Sequence, residues 1–288
     1  MQTMQRWGKA RGNETENETG NQTRIKDVND LKMNQNILLD FSHIYPTDVE
    51  KGETGLRRVD LSDIEGTNMY CSREAAEEIK KRLKDTGPEG IHFLDNGNYH
   101  YVTLFFAEKI QTPFSLVLFD HHTDMQKPLV PQLLSCGSWA RELMDHHASI
   151  EQLILIGPER KTLETIEPQL RERIICVSIE EIVQGKAEQD LARIKASVPV
   201  YISIDKDVLS PRYARTNWNQ GEMTMKVLER LLLEIFKHQK VIGADICGEC
   251  SPLEPLEKLI QDEQINRETN EGLYHFLERL FGKEYQEK

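Results

Sequence analysis

The sequence predicts an α/β protein of three layers, α/β/α, built on a mostly parallel sheet with helices on both faces. Three observations predict it. From Asn36 to the end, short apolar runs alternate with amphipathic stretches, the pattern of strands joined by crossover helices. Four of those runs end in segments rich in aspartate, asparagine or histidine, and open parallel sheets hold their ligands outside the carboxyl ends of the strands. No internal repeat and no Pro- or Gly-rich linker divides the chain, so 36–288 is expected to be one catalytic domain.

Residues 1–35 stand apart. They are polar, and Asn13 to Thr23 is a low-complexity tract that cannot pack a core, so a disordered N-terminal extension is expected, with Met33 a plausible true start. Asn-x-Thr triplets begin at Asn13, Asn17 and Asn21. No apolar signal segment precedes them, and no sugar is expected there.

Strands are expected over 36–41, 90–95, 114–120, 152–157, 173–177, 199–205 and 240–246, each a short apolar run bounded by polar or turn-forming residues. The first helix is expected over 73–85. Ser72 caps it, Glu74 and Glu77 sit in its favourable first turn, and Gly87-Pro88 stops it. Further helices are expected over 100–110, 138–146, 179–195, 224–237 and 262–281, where the apolar period lengthens to that of a helix.

Composition narrows the partners. The net charge of −12 opposes nucleic acid and anionic lipid, because a phosphate partner needs a basic surface; a small-molecule substrate is favoured. Five cysteines, an odd number and widely spaced, argue for free thiols in a reducing cytoplasm. No apolar run approaches the roughly 18 residues that span a bilayer. Oligomeric state is left open, and a homo-oligomer is compatible with the sequence.

The chemistry concentrates in two runs. In Leu118-Phe-Asp-His-His-Thr-Asp-Met125, three metal-type ligands, Asp120, His122 and Asp124, occupy alternate residues just after an apolar strand. Side chains two apart on extended backbone point the same way and can converge on one point. Val200-Tyr-Ile-Ser-Ile-Asp-Lys-Asp207 repeats the arrangement with Asp205 and Asp207. Lys206 and His121 alternate away from these ligands, toward packing or supporting roles. Carboxylates with a minority of imidazoles suit Mn²⁺, with Fe²⁺ or Co²⁺ also compatible, and no cysteine is expected in the set. So many ligands exceed the needs of one ion. Two close divalent ions lower the pKa of a shared water, so hydrolysis is the expected reaction.

Together with Gly97-Asn-Tyr-His100 and Gly243-Ala-Asp-Ile-Cys-Gly-Glu249, the two runs resemble the four signature segments of the ureohydrolases, in the same order. That family includes arginase, agmatinase, guanidinobutyrase and formiminoglutamase. The resemblance implies an arginase-like fold with the metal site at the carboxyl ends of the strands, and two Mn²⁺ ions. It makes His100, Asp120, Asp124 and Asp205 ligands of one ion, and His122, Asp120, Asp205 and Asp207 ligands of the other. A hydroxide between the ions would attack the amidino carbon, with Asp124 orienting it and handling its proton. Glu249 becomes the candidate to pair with the cationic end of a substrate, as a carboxylate suits the planar fork of a guanidinium.

Three departures accompany the matches. Gly-Asn-Tyr-His stands where the family usually has Gly-Gly-Asp-His. The last segment carries one extra residue, so the family glutamate falls on Gly248 counted from Gly243 and on Glu249 counted back from Pro252; Glu249 is chosen on chemical grounds. Ser135-Cys-Gly-Ser-Trp139 occupies the place of a Ser-His-Gly-Thr-Pro-like segment, so Cys136 replaces the histidine that shuttles a proton to the leaving amine in agmatinases. Formiminoglutamases lack that histidine too. Trp218 and Arg57-Arg58 are candidates to line the substrate entrance. Two other readings are a dinuclear phosphoesterase, opposed by the lack of a basic cluster to clamp phosphate, and a catalytically silent metal-binding member of the family, favoured by the loss of that histidine.

Overall fold

The computed structural model describes residues 35–46, 56–128, 130 and 133–284. The expected extension at 1–35 lies outside them, apart from Gln35. Strands β1 (Ile37–Asp40), β2 (Arg57–Asp60), β4 (Gly90–Phe93), β5 (Phe114–Phe119), β7 (Ile150–Ile156), β8 (Ile174–Val177), β9 (Val200–Asp205) and β10 (Val241–Cys247) form one eight-stranded sheet. Its order is β2-β1-β4-β10-β9-β5-β7-β8, and every pairing is parallel. A separate antiparallel pair joins β3 (Tyr70–Cys71) to β6 (Leu134–Ser135).

The strand period of two sorts the core into two layers. Val117 and Phe119 of β5, Ile154 and Ile156 of β7, and Ile202 and Ile204 of β9 face one side. There they pack on α5 (Ile179–Val183), α6 (Ala187–Leu191), α7 (Met225–His238) and α8 (Leu256–Glu284) through residues such as Ile182, Leu191, Leu231 and Leu277. Leu116 and Leu118, Leu153 and Leu155, and Tyr201 face the other side. Their partners are α1 (Arg73–Arg82), α2 (Val102–Ala107) and α3 (Trp139–His146), through Ile79, Phe105 and Leu143 among others. Because both faces are covered, the inner strands are buried along nearly their whole length, and most of their residues are apolar. The three-layer expectation holds.

Local signals explain most boundaries. Ser72 accepts from the Ala75 amide at the start of α1, Thr224 does so from Val227 for α7, and Ser178 with Glu181 forms a reciprocal capping box for α5. The helix expected over 179–195 is instead two, α5 and α6. Gly185 adopts a left-handed φ of 69°, which ends the first, and the chain restarts at Ala187. Three strands lay outside the expected set. The edge strand β2 is half exposed and reads Arg-Arg-Val-Asp, without an apolar run, while β3 and β6 have two residues each and no period to detect. A short helix α4 (Arg160–Leu163) was also unannounced, and α8 starts six residues before its expected position.

Candidate metal centre

Four adjacent central strands, β4, β10, β9 and β5, deliver their carboxyl ends to one place. After β4, Asp95 takes a left-handed φ of 70°. Its carboxylate accepts the amides of Phe41, Ser42 and Asn96 and the Ser42 hydroxyl, which locks the turn leading to His100. After β5 come Asp120, His122 and Asp124. Asp124 also has a left-handed φ, 49°, a strained conformation for a residue with a side chain. After β9, Asp205 caps a short 3-10 turn, accepting the Asp207 amide at 2.9 Å, and the turn returns Asp207 to the same side.

The resulting cluster is buried and divided. His100 Nδ1 lies 3.0 Å from Asp124 Oδ2, 3.4 Å from Asp120 Oδ2 and 3.5 Å from Asp205 Oδ2. His122 Nδ1 lies 2.8 Å from Asp207 Oδ2 and 3.4 Å from Asp120 Oδ1. Asp120 therefore turns one oxygen to each imidazole. Both rings are held from behind at Nε2: His100 meets Ser203 Oγ at 2.9 Å, and His122 meets Asn219 Oδ1 at 3.1 Å. Ser203 in turn donates to Asp245 Oδ1 at 2.5 Å. Partners at the outer nitrogen fix ring orientation and leave Nδ1 for the centre. Trp139 Nε1 donates to Asp124 Oδ2 at 2.5 Å, and its ring sits 4.9 Å from that of His100.

Charge tests whether this cluster fits cations. Asp120, Asp124, Asp205 and Asp207 are all buried, with two imidazoles among them. Four carboxylates withdrawn from water need compensating positive charge. Lys206 does not supply it, because its ammonium points the other way. In its absence protons fill in: burial alone would lower the His122 pKa, but Asp120 and Asp207 raise it to about 12. Burial, and then Asp120, raise Asp207 to about 6. The donor set fits a pair of divalent ions, and two groups of three candidate ligands, His100-Asp120-Asp124 and Asp120-His122-Asp207, share Asp120.

The cleft above is lined by the cluster and by neutral residues, among them Met69, Tyr70, Gln126, Ser135, Cys136 and Trp218. Its empty volume is about 540 Å³, counted out into open solvent, which is the scale of a small-molecule site. Burial first and Asp124 second push the Cys136 thiol up to about 12.

Three expectations need correction. Glu249 does not line the cleft: its Oε1 accepts Lys206 Nζ at 2.5 Å and Asn270 Nδ2 at 2.8 Å, in a pair where Lys206 is wholly buried. Gly248 is the residue whose Cβ would face the centre, 2.5 Å from Asp205 Oδ1, so the extra residue turns the glutamate toward α8 instead. A cysteine does reach the cluster, since Cys247 groups with His100 and Asp205. Arg57 and Arg58 lie on edge strand β2, bonded to Thr86 and Asp40 respectively, whereas Trp218 does line the cleft. Sequence reasoning also passed over Ser203, Asp245, Trp139 and Asn219. The first two sat in quoted segments at even spacing from Asp205 and Cys247, a usable signal; Asn219 carried none.

A model of the arginase family matches residues 4–257. The chain belongs to the arginase family. Its reaction class is hydrolysis of linear amidine carbon–nitrogen bonds, and its substrate is a small molecule. An uncharacterised protein of Thermotoga maritima is 31% identical over 220 residues, covering 75% of this chain and 80% of that protein. A hypothetical agmatinase from Burkholderia thailandensis superposes with a TM-score of 0.58 at 16% identity over 88% of each chain. Formimidoylglutamase from Bacillus subtilis gives 0.58 at 16% identity, over 84% of this chain and 85% of that one. At such identities the likeness is one of fold. Among the described residues no helix of this arginase-family chain is long and apolar enough to cross a membrane.

Proposed function

We propose that this protein is a cytoplasmic, two-metal hydrolase of an amidine, guanidino or formimino small molecule. One observation carries the reading: Asp120 directs its two oxygens to separate imidazoles and so divides four buried carboxylates between two ligand groups. His100, Asp120, Asp124 and Asp205 would hold the inner ion, and His122, Asp120, Asp205 and Asp207 the outer one, with Asp120 and Asp205 shared between them. Bound there, a divalent pair, Mn²⁺ or another ion of that class, supplies a nucleophilic water acidified toward neutral pH.

The residues of the chain do the rest. Asp124, gripped by Trp139 Nε1, orients that water and takes its proton. Cys136, on the wall beside Asp124, carries a thiol proton that the departing nitrogen can accept. Glu249 has a structural part, because its Oε1 accepts from both Lys206 and Asn270. With Glu249 withdrawn, the described residues of the cleft offer no acidic group outside the metal cluster to a cationic tail. Substrates without such a tail, the formimino type among them, are favoured over agmatine-like ones.

The test is a panel of guanidino and formimino compounds with metal-loaded enzyme, reading urea, ammonia and formamide separately, beside Asp120→Ala, Asp205→Ala, Cys136→Ala and Cys136→His. Metal-dependent release of one of these products, lost with bound metal in the aspartate variants, is expected. Stoichiometric metal without turnover on any member would sink the hydrolytic reading. Full rate in Cys136→Ala removes the thiol from the chemistry.

A further inference from the structure

Cys247 closes β10 in register with Asp205 at the end of β9, so the two side chains leave neighbouring parallel strands on the same face. Its Sγ lies 3.1 Å from Asp205 Oδ2, the same oxygen that faces His100 Nδ1 at 3.5 Å. The ligand atoms of His100, Asp205 and Cys247 all fall within 4.8 Å of one another, and all three residues are buried. The next residue, Gly248, has a φ of 94° and no Cβ to strike Asp205 Oδ1, which lets the chain turn away directly behind the sulfur. His100 belongs to this triplet and to the His100-Asp120-Asp124 group alike, so the sulfur borders the inner of the two metal positions.

The geometry points to Cys247 as a thiolate ligand of the inner ion, so that the inner position takes Zn²⁺, Co²⁺ or Fe²⁺ ahead of Mn²⁺ while the outer position keeps only oxygen and nitrogen donors. This inference rests on the two-metal reading above and deepens it. The step balances simply: the S–H bond breaks, its proton passes to solvent, and the sulfur lone pair enters the metal–sulfur bond. A soft sulfur donor shifts preference away from manganese, whose best partners are carboxylate, carbonyl and water oxygens. The competing assignment is that Cys247 only donates S–H to Asp205 and orients it. The two differ in whether sulfur touches metal.

Titration of the metal-free full chain with Co²⁺ under reducing, anaerobic conditions separates them. A thiolate-to-cobalt charge-transfer band in the near ultraviolet is expected, saturating with one ion per chain, absent from Cys247→Ser and retained in Cys136→Ser. Cys247→Ser is also expected to lose about ten-fold or more in Co²⁺ affinity, against little change for Mn²⁺. X-ray absorption at the zinc edge of the zinc-loaded wild type needs no variant, and should show a sulfur neighbour at about 2.3 Å. Full cobalt occupancy without the band, a band that survives Cys247→Ser or vanishes with Cys136→Ser, or a zinc spectrum with oxygen and nitrogen alone overturns the assignment. Turnover without the band overturns the cysteine ligand only. The band without turnover overturns the hydrolytic reading only, and failure to bind any divalent ion overturns both.

Discussion

In the proposed mechanism Asp124 carries the heaviest chemical load, and its geometry depends on a residue that the alternating motif does not contain. Trp139, the first residue of α3, donates its indole N–H to Asp124 Oδ2, and the left-handed backbone at Asp124 turns the carboxylate to meet it. A hydrogen bond to a charged acceptor is worth about 1.5–3 kcal/mol. Trp139→Phe keeps an aromatic ring against His100 but removes the donor, so kcat should fall about ten-fold or more while bound metal is unchanged. An unchanged kcat would remove Trp139 from the mechanism. The buried Lys206–Glu249 pair answers to stability instead. Lys206→Met strands a buried carboxylate and should cost about 3–5 kcal/mol in urea denaturation, with much of the loss recovered by adding Glu249→Gln. A loss below about 1 kcal/mol would show that the pair is dispensable. Asp120, His122, Asp124, Asp205 and Asp207 could be singled out at this scale because ligand-type residues recur at alternate positions after apolar strands, but the structure brings them together by a left-handed residue at Asp124 and a 3-10 turn at Asp207 rather than by extended backbone. Glu249 was misplaced because one inserted residue reverses its side, and chain counting cannot say where the insertion is absorbed.

Among the elements, the parallel pair β9·β10 sets the inner wall of the centre. Its register aligns Ser203 with Asp245 and Asp205 with Cys247, which places a hydroxyl and a carboxylate behind His100 and a thiol beside Asp205. Gly248, just after β10, has a positive φ, and an added Cβ there would lie 2.5 Å from Asp205 Oδ1 and 2.9 Å from the Lys206 amide nitrogen. Gly248→Ala should destabilise the chain by on the order of 1–3 kcal/mol and weaken metal binding, because relief of the contact moves Asp205. Calorimetry of metal binding checks it, and wild-type affinity would show that the strand end yields elsewhere. The apolar strands and capped helices could be read from local patterns. The break at Gly185 and the polar edge strand β2 could not, since a helical apolar period runs across the first and the second owes its conformation to pairing with β1.

For the whole molecule, the buried carboxylates should make stability depend on pH and on bound divalent metal. Burial raises Asp95, Asp245 and Asp207 from 3.8 to about 6, and Asp120 adds to the last. His122 rises from 6.5 to about 12. All four bind protons more tightly folded than unfolded, so their stabilising contribution is present below the unfolded pKa and is lost as pH climbs through the folded value. For the carboxyls that window runs from 3.8 to about 6, and for His122 from 6.5 to about 12. The metal-free protein should therefore lose thermal stability between about pH 4 and about pH 9 through these groups. Added Co²⁺ or Mn²⁺ should restore it most at the alkaline end, since the ions displace the protons. A metal-free melting temperature that rises across that range, or a metal effect that shrinks with pH, would contradict this account.

The sequence by itself determined the fold class and which strand ends gather aspartate and histidine, because each is a consequence of short apolar runs and of the residue types that follow them. Tertiary structure decided what depends on register and approach between strands far apart in the chain: that Asp120 faces both imidazoles, that Glu249 turns to Lys206, and that Cys247 stands beside Asp205. A parallel sheet brings residues about forty positions apart into hydrogen-bonding distance. Nothing in the local pattern of β9 or β10 alone states which residue meets which.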